Sequence, residues 1–101
     1  MEFSMIDRHG VFAPARRVAF RRIGDQMVLV SPDENVMLTL NPTGSLVWEG
    51  LDGKKSVAQI AAALEQEFAV SADQAQKDVI SFLELMLDRA LVEGVAVDGE
   101  S

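Results

Sequence analysis

Short apolar runs separated by turn-forming residues dominate the chain before residue 40 and indicate β-strands. Residues 18–23 form a half-polar strand, and Gly24-Asp25 supplies a tight turn into the next one. That second strand, residues 27–30, is apolar throughout, which is typical of a strand covered on both faces. After another cluster of turn residues, residues 36–40 form a third strand. The pattern therefore predicts a three-stranded meander whose last strand lies at an edge.

Helical signals begin after residue 40. Asn41 followed by Pro42 pairs a good N-cap with proline at the first helical position, and a short helix is expected through Trp48. Ser56 and Ser71 each open a capping box with Gln three residues later, which predicts two further helices. The third is the longest and runs to about residue 90. The order βββααα predicts an α+β fold, in which a three-stranded antiparallel sheet is followed by a three-helix unit.

The domain organisation is simple because 101 residues leave room for one core. Residues 1–14 have no periodicity, since a glycine and a proline interrupt it, and are expected to be a flexible N-terminal arm. Residues 15–97 form the single domain, in which residues 91–97 add a short terminal strand or pack as an extended segment. Residues 98–101 are a tail.

The sequence carries no signal for secretion or membrane insertion. Its first residues lack the basic and apolar regions of a signal peptide. Its apolar runs are far shorter than the ~20 residues that a membrane span requires. We therefore expect a cytoplasmic protein that does not enter a membrane.

The inventory of reactive side chains is thin, with no Cys, no Tyr and one His. This composition excludes thiolate nucleophiles, disulfides and Cys-type zinc sites, and His9 has no second His with which to hold a metal. We therefore expect no cofactor, no metal site and no independent enzymatic activity. The net charge of −7 has the wrong sign for a general nucleic-acid binder.

Basic side chains are concentrated near the start of the chain. Residues 1–22 hold five Arg against two acids, whereas residues 23–101 hold four basic groups against fourteen acids. The arginines cluster at Arg16-Arg17 and Arg21-Arg22. Either they form a solvated face, or together with Lys54-Lys55 they meet an acidic partner.

The third predicted helix has an unusually wide apolar face. From residue 79 to residue 91 most apolar side chains fall on an arc of about 160°, whereas a helix that packs on one partner needs about 100°. One explanation is that the helix is central and contacts both the sheet and the other helices. The alternative is that one margin lines an exposed groove, formed by Phe82, Leu85, Met86 and the stem of Arg89. Met and Phe suit a surface that accepts varied apolar side chains.

The third strand is the second candidate for a binding surface. Val36, Leu38 and Leu40 share one face, and Met37 and Thr39 share the other. An edge strand presents unpaired N–H and C=O groups to which an extended peptide can add, and this strand has no Lys, Arg or Pro to discourage pairing. The alternative is that residues 91–97 or the N-terminal arm cover the edge.

A family resemblance appears at residues 40–53, which read Leu-Asn-Pro-Thr-Gly-Ser-Leu-Val-Trp-Glu-Gly-Leu-Asp-Gly. This stretch resembles the LN-x-T-G-x-x-(I/V)-W-x-x-L-D-G signature of the PqqD-like proteins. The match continues at Ser56-Val57 with Ile60-Ala61, and at Asp78-Val79 with Phe82-Leu83. The resemblance covers roughly residues 14–95.

The resemblance implies a small winged-helix-like domain that recognises ribosomally made, post-translationally modified peptides (RiPPs). Proteins of this family capture the leader of a precursor peptide and present it to a modifying enzyme, often a radical SAM protein. The leader adds to the third strand, in a cleft closed by the third helix. Carried onto this sequence, the peptide-binding residues are Val36, Met37, Leu38, Thr39 and Leu40 of the strand, and Val79, Phe82, Leu85, Met86 and Arg89 of the helix.

One departure concerns the pathway. The branch dedicated to pyrroloquinoline quinone (PQQ) tends to carry Cys-Asp-Gly after the first helix and lacks the Leu-Asn-x-Thr-Gly start, whereas this chain has both Leu51-Asp52-Gly53 and that start. This difference favours the broader family, so that PQQ-type and other RiPP pathways both stay open. Monomer and dimer stay open as well.

A winged-helix DNA-binding regulator is the alternative reading of the same element order. Its recognition helix would span residues 72–90. This segment contains two basic residues, Lys77 and Arg89, and four acidic ones, so its net charge is −2. Phosphate contacts need the opposite sign. We therefore expect a leader peptide and a modifying enzyme as partners, and no nucleic acid.

Overall fold

The computed structural model describes residues 6–31 and 35–95. The strands are β1 (Phe12–Pro14), β2 (Ala19–Ile23), β3 (Gln26–Ser31), β4 (Val36–Leu40) and β5 (Val92–Gly94). The helices are α1 (Pro42–Gly50), α2 (Val57–Phe68) and α3 (Ala72–Asp88).

The predicted meander is confirmed. Strands β2, β3 and β4 form an antiparallel sheet in that order, so β4 lies at an edge. Gly24 adopts φ +65° in the two-residue turn between β2 and β3, a backbone conformation that glycine adopts without steric cost. With three helices following the sheet, the α+β fold is the one that the sequence predicts.

The first strand is a feature that the sequence did not indicate. Strand β1 pairs with β5 in a separate two-stranded sheet. Just before it, the carbonyl groups of Arg8 and Gly10 accept hydrogen bonds of 2.9 and 3.0 Å from the N–H groups of Ala58 and Val57. These donors belong to the first turn of α2, where a helix has no internal acceptor for them. Residues 6–14 are therefore an integral part of the fold and not a flexible arm. Residues 1–5 and the tail at 98–101 lie outside the described residues.

Side-chain caps start each helix, largely as predicted. Asn41 Oδ1 accepts the N–H of Gly44 at 2.8 Å, and Ser56 forms a full capping box with Gln59. At α3 only half of the predicted box is present. Ser71 Oγ accepts the N–H of Gln74, but the Gln74 amide donates to an acceptor one turn further along the helix, Asp78 Oδ1 at 2.8 Å.

The loop after α1 is organised by one carboxylate. Asp52 Oδ1 accepts the N–H groups of Lys55 at 3.0 Å and Lys54 at 2.9 Å, and Oδ2 accepts from the Lys55 ammonium. These bonds, led by the backbone N–H of Lys55, hold the pKa of Asp52 well below its usual range. The Asp52 side chain therefore fixes the turn that follows α1.

The core lies between the inner face of the sheet and the three helices. Leu29 of β3, Trp48 of α1, Leu64 of α2 and Leu83 of α3 are all buried in it. No described element packs on the outer face of the sheet, where Val30 is 37% exposed. The expectation that the second strand of the meander is covered on both faces was therefore wrong.

A buried hydroxyl connects the sheet to α1. Ser45 Oγ accepts the N–H of Met27 at 2.8 Å and donates to the C=O of Leu40 at 3.2 Å. Met27 and Leu40 are opposite each other in the β3–β4 pair. The hydroxyl therefore joins the start of β3, the end of β4 and the first turns of α1 at one point.

Replacing Ser45 with Ala is expected to destabilise the protein by about 1–3 kcal/mol, because the Met27 N–H and the Leu40 C=O then lose a buried partner. Urea unfolding followed by circular dichroism measures the change. Ser81→Ala, at an exposed position of α3, is the control and should shift stability by less than about 0.5 kcal/mol. Equal unfolding midpoints for the two variants would contradict this role of Ser45.

Candidate functional site

The free edge of β4 offers a defined set of backbone hydrogen-bonding groups. Ile23 and Gln26 flank the two-residue hairpin turn, which makes them a hydrogen-bonded pair. Because β3 residues alternate between their two neighbours, Met27, Leu29 and Ser31 face β4. In β4 the N–H and C=O groups that point away from β3 therefore belong to Met37 and Thr39.

No described strand or terminal segment covers this edge. Strand β5, which lies within the predicted terminal segment, pairs with β1 and not with β4. Among the described residues, β4 has a strand neighbour on one side only. The structure thus favours the open edge over the covered one.

The side chains of β4 alternate as the sequence predicts. Leu38 and Leu40 point to the inner face, where Leu40 is buried and Leu38 is half-buried against the core. Met37 and Thr39 point to the outer face, and Met37 is 73% exposed. A strand added at this edge would meet apolar side chains on its inner side.

The space between β4 and α3 is the candidate groove. No Cα atom of α3 lies within 8 Å of a Cα atom of β4 in the described part of the chain. The start of α1 forms the floor at Gly44, where a Cβ would lie 3.3 Å from Phe82 Cε1 and 3.5 Å from Leu40 Cβ. Glycine at this position allows Phe82 of α3 and Leu40 of β4 to approach the same point of α1.

Three of the five α3 residues that the sequence predicts to bind the peptide lie on the side of the helix that borders the groove. Phe82 is half-buried, Leu85 is 47% exposed and Arg89 is exposed at the end of the helix. On a helical wheel Leu85 lies about 60° to one side of Phe82, and Met86 lies about 40° to the other side. The exposed margin is therefore the one that contains Leu85.

Two of the predicted helix residues do not line the surface. Val79 and Met86 have no exposed area because they lie on the side of α3 that packs into the core. Each of the two explanations that the sequence left open for the wide apolar arc is therefore correct for part of it. Most of it is core, and its margin at Phe82 and Leu85 borders the groove.

The other candidate residues do not assemble into a second site. Arg22 Nε donates to Glu49 at 2.8 Å, and Lys55 engages Asp52, so these basic groups are already paired within the chain. His9 is exposed, and within residues 6–31 and 35–95 no three His, Cys, Asp or Glu side chains come together as a metal site would require. Trp48 belongs to the core and contacts Phe20 edge-to-face, with ring centroids 5.4 Å apart. No helix in the described part of the chain has the length and apolar character needed to cross a membrane.

Three solved structures share this fold. TbiB1 in complex with the TbiA(beta) leader peptide is 26% identical, with a TM-score of 0.76 over 84% of this chain and 99% of that chain. A lasso peptide synthetase B1 complexed with its leader peptide is 21% identical, with a TM-score of 0.74 over 81% of this chain and 96% of that one. The PqqD truncation of Methylobacterium extorquens PqqCD, described as a RiPP recognition element, is 23% identical, with a TM-score of 0.72 over 92% of this chain and 99% of that one.

Sequence comparison identifies relatives of similar length. A PqqA binding protein of Xanthomonas euvesicatoria is 33% identical over 88% of this chain and 97% of its own length. A PqqA binding protein of Azotobacter vinelandii is 36% identical over 65% of this chain and 68% of its own. The model of the family described as coenzyme PQQ synthesis protein D (PqqD) matches residues 26–92, from β3 to the start of β5. The chain therefore belongs to the PqqD family.

Proposed function

We propose that this protein is a non-catalytic peptide chaperone, which captures the leader of a ribosomally made precursor peptide and presents it to a modifying enzyme. The observation that supports the proposal most strongly is the open edge of β4 beside an apolar groove, in a chain of the PqqD family. The relatives named PqqA binding protein and the leader-peptide complexes of the structural neighbours support a peptide as the ligand.

The backbone of β4 supplies the sequence-independent part of the binding. A leader in extended conformation adds as a fourth strand and exchanges hydrogen bonds with Met37 and Thr39. Strand addition of this kind draws its affinity from main-chain bonds and its specificity from pockets for alternate side chains.

The groove supplies the specificity. Every second leader residue points inward, between Leu38 of β4 and the Phe82–Leu85 margin of α3. These positions favour apolar leader residues, because burial stabilises by about 25 cal/mol per Å² of apolar surface. Arg89, at the end of α3, suits an acidic leader residue at that end of the groove.

The consequence of capture is a higher local concentration of substrate. When the chaperone and its enzyme associate, the tethered core peptide reaches the active site as an intramolecular reactant, which raises its effective concentration. The enzyme is a radical SAM protein or another RiPP-modifying enzyme, and the pathway is PQQ-type or another. The names of the relatives make PqqA the first peptide to test.

A titration of the ¹⁵N-labelled protein with PqqA of Azotobacter vinelandii, and with the precursor peptide encoded nearest this chain's own gene, tests the proposal. We expect amide shifts to concentrate in β4 and at residues 82–89, because these backbone segments border the groove. Shifts confined to other regions would show that the site is elsewhere. If neither peptide binds, the proposed function is wrong.

Thr39→Pro tests the backbone contact. Proline removes the N–H that points to the open edge and places a ring there, so we expect leader affinity to fall about tenfold or more. The fold should persist, because this N–H does not pair with β3. Thr39→Val keeps the N–H and is the matched control. Calorimetric titration of both variants decides, and equal affinities would argue against strand addition at this edge.

Leu85→Glu tests the groove. A carboxylate at this position opposes burial of apolar leader residues, and we expect affinity to fall about tenfold. Leu87→Glu makes the same change at a residue of comparable exposure, 38% against 47%, on nearly the opposite side of α3. Fluorescence anisotropy of a labelled leader compares the two. A similar loss in both variants would indicate that α3 acts through charge alone and not through the groove.

A further inference from the structure

The outer face of the sheet is an apolar surface that peptide capture at β4 does not occupy. Ile23 is 60% exposed, Met37 73% and Val30 37%, and their cross-strand register places them on the same face. A depression of about 340 Å³ lies between β2 and β3 on this face. Clustered apolar exposure of this kind marks an interaction surface more often than scattered single residues do.

One charged side chain lies within this apolar surface. Arg21 is the only charged residue among the outward-facing positions of β2, β3 and β4, and Val28 is its cross-strand partner. Its neighbour Arg22 points to the other face and pairs with Glu49, whereas no described residue forms an ion pair or hydrogen bond with the Arg21 side chain. Protein interfaces combine Arg and Met with few other charges in this way. A partner surface that complements this face would be apolar and would carry a carboxylate opposite Arg21.

A second copy of this chain does not fit that description. Two sheets packed face to face would bring two Arg21 side chains together, and the outward-facing positions of the described strands offer them no carboxylate.

Peptide capture enlarges the same face. A strand added to β4 would continue the sheet, and every second leader residue would point outward beside Met37 and Thr39. The face would then be four strands wide, and part of it would consist of the leader itself. A partner that binds there contacts the protein and the captured peptide together.

We propose that the outer face of the sheet, completed by the outward-facing residues of the bound leader, is the docking surface for the peptide-modifying enzyme, which places a carboxylate against Arg21. This inference rests on the proposed function. The enzyme binds the loaded protein more tightly than the free one, and by linkage the leader binds more tightly when the enzyme is present.

The test uses Arg21→Glu and Ile23→Asp, with Lys77→Glu as the charge-reversal control on α3, where Lys77 is exposed. The probes are whichever peptide binds in the titration above and the enzyme that modifies that precursor. Calorimetry measures leader affinity for each variant alone, and then enzyme affinity for each variant with and without leader. Sedimentation velocity of each variant reports self-association.

The expected result is leader binding by the isolated variants within about twofold of the original protein, and enzyme binding to the loaded variants weakened about tenfold or more. The control should match the original protein in both measurements. Normal leader binding together with undiminished enzyme binding by both variants would overturn this inference alone. Failure of the unmodified protein to bind either peptide would overturn the proposed function as well. A dimer that Arg21→Glu or Ile23→Asp dissociates would assign the face to a second copy and overturn the choice of partner.

Discussion

The hydroxyl of Ser45 is the contact on which the geometry of the groove depends. It joins the start of β3 and the end of β4 to the first turns of α1, at the point where the sheet passes into the helices. One residue before it, Gly44 brings Leu40 and Phe82 against the same helix. Two adjacent small residues thus set how far α3 stands from the edge of the sheet. A larger side chain at either position would alter the separation that a strand needs.

Much of the fold could be predicted because its signals are local. The alternation of β4, the hairpin glycine and the caps at Asn41 and Ser56 each follow from a few neighbouring residues. The β1–β5 pair could not be predicted in this way. It joins segments about eighty residues apart, and its strands are three residues long, too short for a periodic pattern. At α3 the sequence matched a capping box at Ser71, but Asp78, one turn on from Gln74, competes for its amide.

The site was only partly accessible from the sequence. Backbone groups on an open edge are the same for every residue type, so Met37 and Thr39 become candidates through their register alone. For α3, an apolar stripe does not reveal which margin the core covers, and Met86 was assigned to the wrong side. The residues of the family signature have mainly structural roles here, since Asn41 caps a helix and Asp52 orders a loop.

The β1–β5 pair places the start of β1 beside the end of β5, with Phe12 opposite Gly94. Neither strand contacts β4 in the described part of the protein, and β5 packs on α3 instead. The chain therefore enters β1 and leaves β5 at nearly the same place, away from the open edge of β4. Paired ends of this kind allow a domain to be appended to, or inserted into, a larger protein without disturbing its working surface. Another domain could therefore be linked near this strand pair without blocking the open edge of β4.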